Sequence, residues 1–131
     1  MMISTRGRYA LRVLVDLAEH SGSLVPMKDV AARQGISKKY MEQIMALLVK
    51  DGYVEGVHGK GGGYKLTRSP SEYTAGEILR AAEGDLAPVA CLSCNAEECP
   101  RKKDCKTLPL WEKFNDMTNE YFDSVTLESM L

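Results

Sequence analysis

Histidine is scarce in this chain: only His20 and His58 occur among 131 residues. Neither is accompanied by a nucleophile, a carboxylate pair or a phosphate-binding loop that would complete a catalytic set, so we expect a protein that is not an enzyme. The sequence also lacks an apolar run of about 18 residues and the pattern of a secretion signal. These absences predict a cytoplasmic protein with no membrane partner, of a length that suits one domain.

Cysteine is absent except in one segment, CLSCNAEECPRKKDC, which contains Cys91, Cys94, Cys99 and Cys105. In a reducing compartment, thiols clustered in this way bind metal or take part in redox chemistry more often than they form disulfides. Two structural disulfides are the alternative. The lysines in and beside the segment favour thiolates, although they are equally typical of a solvated loop.

Charge is unevenly distributed, although the net charge of the whole chain is only −1. Residues 1–68 contain eleven Lys and Arg against six Asp and Glu, a net charge of +5. Residues 69–131 contain six against twelve, a net charge of −6. A basic half joined to an acidic half indicates that the first half meets a polyanion; the alternative is that both surfaces are merely solvated.

Apolar periodicity predicts three helices in the first half of the chain. The first covers residues 4–20, with Asp16 among the charged residues opposite its apolar face. The second runs from about Pro26 to Gln34 and ends at Gly35, and the third runs from the N-cap Ser37 to about residue 51. Helices two and three, joined by QGIS, match a helix-turn-helix layout. In such a motif the polar face of the third helix enters the major groove, whereas a solvated face is the commoner interpretation of periodicity alone.

The segment YVEGVHGKGGGYKLTR predicts a strand, a glycine-rich turn and a second strand. A β-hairpin directly after a helix-turn-helix is a wing, and its glycines allow positive φ angles and close approach to a phosphate. A nucleotide-binding loop is excluded because a strand, and not a helix, follows the glycines.

The second half of the chain is predicted to contain two more helices. TAGE, residues 74–77, is a capping box that begins a short helix ending near Ala82. A long final helix covers about Leu108 to Ser124 and carries two neighbouring apolar stripes. One stripe contains Leu110, Phe114, Met117 and Tyr121, and the other contains Trp111, Thr118, Phe122 and Val125. Two stripes are more than one small domain needs, so we expect a second copy of the chain to cover one of them.

Taken together, these motifs resemble the IscR/NsrR/CymR group of bacterial winged-helix regulators over essentially the whole length. The matching residues are STRGRYAL, ISKKYMEQI, VHGKGGGYKL, TAGEIL, and LW followed by TLESML. The resemblance implies a mainly α fold with a small β-hairpin: a winged helix-turn-helix DNA-binding region (1–83), a cysteine-rich sensor loop (84–106), and a dimerisation helix with a C-terminal tail (107–131). It also implies a homodimer that binds double-stranded operator DNA.

The resemblance implies nine DNA-contacting residues in this chain. They are Ser37, Lys39, Tyr40, Glu42, Gln43, His58, Lys60, Gly61 and Gly62. Their chemistry agrees, since a glutamine can bond an adenine edge, a glutamate can accept from a cytosine amine, and hydroxyls and lysines suit phosphates. Relatives commonly have arginine where this chain has His58. The alternatives for His58 are therefore a contact with DNA and simple exposure to solvent. A protein-interaction module without DNA affinity is the functional alternative.

For the cysteines, the resemblance implies a 2Fe–2S cluster on Cys91, Cys99 and Cys105. The fourth ligands used by relatives, a histidine or an aspartate, are replaced here by Leu108 and Arg8. Cys94 is the expected substitute, because four thiolates complete such a site. A zinc site on the same thiols, a metal-free thiol switch, and a cluster-free regulator that responds to a metabolite or a protein partner remain alternatives.

Overall fold

A computed structural model describes residues 2–131 of the chain. In chain order, its helices and strands are α1 (Thr5–Glu19), α2 (Met27–Gln34), α3 (Lys38–Lys50), β1 (Val54–Val57), β2 (Gly63–Leu66), α4 (Ala75–Glu83) and α5 (Leu108–Ser124). Short 3-10 turns lie at Pro70–Glu72, Ala90–Leu92, Lys102–Asp104 and Glu128–Met130. The predicted mainly α fold with a small hairpin is therefore confirmed, and the predicted helices begin and end within a residue or two of the observed ones.

Helix α1 is the centre of the core, with α2, α3, α4 and β2 packed against it. Its apolar face is fully buried, and so is the apolar stripe of α3. The α1 residues are Ala10, Val13, Leu14 and Leu17, and the α3 residues are Met41, Ile44, Met45 and Leu48. Burial of these side chains supplies most of the free energy of folding and leaves the polar face of α3 in solvent.

The turn between α2 and α3 forms as its residues predict. Gly35 ends α2 with a φ of 65°, a left-handed conformation that glycine adopts without a steric penalty. The Ser37 hydroxyl then accepts a hydrogen bond from the backbone N–H of Tyr40 at 3.2 Å and caps α3. Together these residues complete the helix-turn-helix.

The prediction that Asp16 lies on the exposed side of α1 is wrong, because its side chain is only 1% exposed. Arg33 donates to both of its carboxylate oxygens, at 2.7 and 3.0 Å, and Gln34 donates at 3.0 Å. Burial acts to raise the pKa of Asp16, but the hydrogen bonds from Arg33 and Gln34 outweigh it and lower that pKa. The carboxylate therefore ties α2 to α1, and thereby helps to place α3.

The hairpin is hydrogen-bonded to a third short stretch of chain, the loop before α2. Val25 donates its backbone N–H to the Tyr64 carbonyl at 2.9 Å, and the Tyr64 N–H donates to the Val25 carbonyl at 2.8 Å. The two backbones lie so close that a Cβ atom on Gly63 would stand 2.6 Å from the Val25 carbonyl carbon. The wing is thus held against the body of the protein at its base.

Helix α5 packs along α4 through polar as well as apolar contacts. The predicted capping box is present, with Thr74 and Glu77 satisfying each other's backbone N–H groups. On the same helix, Arg80 donates to Asn119 at 2.9 Å and pairs with Asp123. Within residues 2–131, none of the helices is both long enough and apolar enough to cross a membrane.

Candidate DNA interface and cysteine site

The predicted contact residues of α3 lie where a ligand could reach them. Lys39, Glu42 and Gln43 are exposed on the face opposite the buried stripe. Tyr40 is half-buried because its ring packs edge-on against the Tyr9 ring, with centroids 5.3 Å apart. Three polar side chains of different hydrogen-bonding character therefore project from one helix face.

The predicted contact residues of the wing lie at the tip of the hairpin. His58, Lys60 and Gly61 are exposed, whereas Gly62 is half-buried. The predicted positive φ angles occur at Gly59 (97°) and Gly61 (77°). Gly62 has a structural reason to be glycine, because a Cβ atom there would collide with the Val57 carbonyl oxygen. The tip therefore presents backbone, His58 and Lys60 to the solvent.

A cleft of about 400 Å³ lies between α3 and the wing. Its lining includes Glu42, Lys50, His58 and Tyr64, so it brings two of the predicted contact residues together. Lys50 belongs to the polar face of α3 that a helix-turn-helix is predicted to place in the major groove, although it is not among the nine residues that the resemblance implies. Lys50 in the cleft, the exposed Lys39 on α3 and the exposed Lys60 on the wing each suit contact with a phosphodiester backbone.

Three of the four cysteines line one cavity of about 450 Å³ between the loop that follows α4 and the start of α5. Cys91 is exposed, and Cys99 and Cys105 are half-buried. The lining also includes Leu108 and Glu112 from the first turns of α5. All four cysteines of the chain are free thiols in this structure.

Cys94 lies outside that cavity lining and has a different partner. Its thiol lies 3.4 Å from Asp85 Oδ2, and its backbone N–H donates to the same oxygen at 3.3 Å. The Ser93 hydroxyl and the Ala87 N–H also donate to this carboxylate. These hydrogen bonds, with that of Ser93 the largest contribution, lower the pKa of Asp85 to about 2. Asp85 is therefore an anion that organises the loop around Cys94.

Cys105 stands just before the N-terminal end of α5. Its sulfur lies 3.5 Å from the Thr107 hydroxyl. The hydrogen bonds from the side chain and backbone of Thr107, with a further one from the Leu108 N–H, lower the pKa of the Cys105 thiol. The start of α5 thus favours the thiolate form of one of the three cavity cysteines.

Three thiols around one cavity fit an iron–sulfur cluster or zinc in the chemistry of their donor atoms. In the part of the chain that the structure describes, no three Cys, His, Asp or Glu side chains already converge on one metal-ion position. Binding of a metal group would therefore require the loop to close around it. Cys91, Cys99 and Cys105 are the three thiols that line this cavity.

The fold and the exposed face of α3 beside a wing define the class of protein: a winged helix-turn-helix regulator. A model of the Rrf2 family, described as an iron-dependent transcriptional regulator, matches residues 3–131. The chain belongs to the Rrf2 family of transcriptional regulators, which confirms the predicted family and the prediction that the protein is not an enzyme.

Individual relatives agree with this assignment. The chain is 34% identical to the HTH-type transcriptional regulator IscR of Pectobacterium carotovorum, over 100% of this chain and 79% of that protein. It is similar to the structure of CymR, the global cysteine regulator of B. subtilis, with a TM-score of 0.79 and 35% identity, over 99% of this chain and 95% of that one. It is likewise similar to the T. potens IscR structure, with a TM-score of 0.77 and 37% identity, over 99% and 85% of the two chains.

Proposed function

We propose that the protein is a cytoplasmic, homodimeric regulator that binds a two-fold symmetric DNA operator through α3 and the wing. The observation that carries this proposal is the division of α3 into two faces. Met41, Ile44, Met45 and Leu48 are buried in the core, while the polar face is exposed to solvent beside the cleft between α3 and the wing. A helix held in this way can enter a major groove without disturbing the core.

Within this proposal the side chains have different tasks. Gln43 reads a base, because its amide can donate to and accept from an adenine edge. Glu42 accepts from a cytosine amine, and Lys39 and Lys60 contact phosphates without regard to sequence. Ser37 and Tyr40 add hydroxyls at the start of α3, and His58, Gly61 and Gly62 place the tip of the wing along the DNA backbone.

Replacing Gln43 with alanine should lower operator affinity by about 1–3 kcal/mol and relax the preference at one base position. Gln43 is exposed, so the substitution leaves the fold intact. Fluorescence anisotropy with the operator and with single-base variants measures both effects. An equal loss of affinity for operator and random DNA would contradict a base-reading role for Gln43.

Lys39→Ala and Lys60→Ala are the matched comparison. Each should weaken binding to all sequences and make the dependence on salt concentration shallower by about one phosphate contact. The contrast between a change in sequence preference and a change in salt dependence separates base reading from phosphate binding.

The outward face of α5 is the observation that supports the proposed dimer. Leu110, Phe114, Met117 and Tyr121 are 44–64% exposed, whereas the second stripe faces the body of the protein and is half-buried. Four large apolar side chains in a row on one helix form a surface that water solvates poorly. A second copy of α5 would cover this surface through an interface that is identical on both sides.

The cysteine cavity is proposed to hold a 2Fe–2S cluster on Cys91, Cys99 and Cys105. The family description as an iron-dependent regulator and the three thiols around one cavity support this assignment. When bound, the cluster would supply a redox-active and oxidant-sensitive centre. The loop that carries these thiols joins α4, which packs on α1, to α5, which carries the apolar face. Order in this loop therefore affects how the two DNA-binding regions of a dimer are spaced.

Protein purified without oxygen should be coloured and contain about two irons and two sulfides per subunit. Cys99→Ala or Cys105→Ala should remove the colour, because each substitution deletes one of the three cavity thiols. The visible spectrum with iron and sulfide analysis tests this. Colourless protein with stoichiometric zinc would show a zinc site instead, and metal-free protein would leave a thiol switch or a cluster-free regulator.

A further inference from the structure

The wing hairpin is attached to the body of the protein at two separate places. Toward the tip, Val25 bonds the backbone of Tyr64, which lies on β2 and pairs with Gly56. At the other end, where Val54 pairs with Leu66, the hairpin is held by a side chain. A two-stranded hairpin alone is marginally stable, so its attachments decide the direction in which the tip points.

The side chain at that end belongs to Tyr73, in the segment before α4. Its hydroxyl accepts hydrogen bonds from the backbone N–H groups of Thr67 at 3.0 Å and Arg68 at 3.2 Å, the two residues that follow β2. The same hydroxyl donates to the backbone carbonyl of Tyr53 at 2.7 Å, directly before β1. One oxygen atom therefore holds the ends of both strands and uses its full capacity as donor and acceptor.

Tyr73 is itself fixed by several contacts. Its side chain is 0% exposed, so water does not compete for the hydroxyl. Its carbonyl accepts a hydrogen bond from the Leu127 N–H at 3.0 Å, in the segment that leaves α5. The Arg68 guanidinium stands over the Tyr73 ring, 5.2 Å from its centroid, and pairs with Glu77 at 2.9 Å. Hydrogen bonds in such a buried network are strengthened by the low local dielectric, so the anchor is stiff.

We propose that Tyr73 is a positioning residue for DNA binding, whose buried hydroxyl fixes the direction of the wing so that Lys60 meets a phosphate. This inference rests on the proposed function, in which Lys60 contacts the DNA backbone. Tyr73 cannot touch DNA itself, because it is fully buried and is bonded to the end of the hairpin opposite the exposed Lys60. Without the hydroxyl, the two strands keep their pairing but the hairpin loses its fixed direction.

Tyr73→Phe tests this in the full chain, because it removes the hydroxyl and keeps the buried ring. Tyr53→Phe is the matched control, since the Tyr53 hydroxyl makes none of the three bonds. Ile78→Val controls for stability alone, because it removes a buried methylene group from α4, outside the wing. The probe is a duplex of about 30 base pairs and random sequence, because a phosphate contact does not depend on sequence.

Affinity for this duplex is measured over a range of salt concentrations, for the single variants and for two double variants. Tyr73→Phe is combined once with Lys60→Ala on the wing and once with Lys39→Ala on α3. Sedimentation velocity and thermal unfolding check that each variant is folded and assembles like wild type.

We expect Tyr73→Phe to weaken binding by the same factor as Lys60→Ala and to reduce the slope of log affinity against log salt by about 0.9, the value for one phosphate contact. In the Tyr73→Phe background, Lys60→Ala should have a further effect below about twofold, whereas Lys39→Ala should keep its full effect. Tyr53→Phe and Ile78→Val should keep the wild-type slope. A merely structural role would not distinguish the two lysines, since loss of folded protein lowers affinity without changing the slope.

Hydrogen exchange in wild type gives a second readout that does not depend on the variant. The Arg68 N–H, which donates to the Tyr73 hydroxyl, should exchange as slowly as the Tyr64 N–H, which donates to Val25. Much faster exchange at Arg68 would show that the hydroxyl does not hold the wing. That result would overturn the inference even if Tyr73→Phe does not fold.

Failure of this inference and failure of the proposed function give different results. If wild type binds the duplex and Lys60→Ala keeps its full effect in the Tyr73→Phe background, only the role of Tyr73 fails. If Lys60→Ala has no effect in wild type, there is no wing contact to position, and the inference again fails alone. If wild type does not bind DNA even at low salt, the proposed function fails and the role of Tyr73 fails with it.

Discussion

Replacing Phe114 and Tyr121 together with lysine is expected to convert the protein into monomers with much weaker operator binding. These aromatic side chains are 44% and 64% exposed in the isolated chain, so the fold should tolerate the change. Buried aromatic anchors typically contribute about 2 kcal/mol or more each to an interface. Since both protomers carry both substitutions, four such side chains are lost, and if only half of this effect is realised the dimer dissociation constant still rises by roughly a thousandfold.

Lysine is the informative replacement because added positive charge cannot by itself repel DNA. Weaker operator binding would then come from the loss of the second DNA-binding region. The matched control is Asp116→Lys, which changes the charge of α5 by the same two units on a side of the helix away from the apolar stripe. Sedimentation velocity at micromolar concentration measures the outcome. A double variant that remains dimeric there would show that this face of α5 is not the dimer interface.

Replacing Asp16 with asparagine is expected to lower the free energy of unfolding by about 3 kcal/mol. This is the lower end of the range for breaking a buried ion pair, and we choose it because Arg33 is partly exposed to solvent. The substitution keeps the shape of the side chain but removes the charge that Arg33 and Gln34 hold. Denaturant unfolding followed by circular dichroism measures the loss.

The difference in unfolding free energy between wild type and Asp16→Asn depends on pH because the pKa of Asp16 is lowered in the folded protein. A carboxyl whose pKa is lower in the folded state stabilises the protein at pH values above its unfolded pKa of about 3.9. That contribution is lost as the pH falls toward and through the pKa that Asp16 has in the folded state. The gap between wild type and Asp16→Asn should therefore be constant near neutral pH and shrink below about pH 4. A gap that stays constant into acid would contradict the ion pair.

Glu55→Ala is the control for the Asp16 substitution. Glu55 pairs with Lys65 across the hairpin at 3.8 Å, and both side chains are more than half exposed. A pair in water contributes about 0–1 kcal/mol, so this variant should unfold almost like wild type. The comparison separates burial from the mere presence of an ion pair.

The sequence by itself determined the features that depend on neighbours within a few residues. The Ser37 cap, the left-handed Gly35, the capping box at Thr74 and Glu77 and the glycine turn of the wing are local, and the structure shows each of them. Helical periodicity likewise identified the buried stripe of α3 and the helix over 108–124, because the spacing of apolar residues sets which face is buried. The class of protein followed from these elements and their order along the chain.

Only the tertiary structure decided the polar contacts between distant residues. Periodicity predicts Asp16 to be a surface residue. It can be buried because Arg33 and Gln34 of another helix donate hydrogen bonds to its carboxylate. The spacing of the four cysteines likewise does not reveal that Asp85 holds Cys94 while Glu112 joins the other three around one cavity. Such contacts depend on where the folded chain brings charges and thiols together, and no local pattern encodes that position.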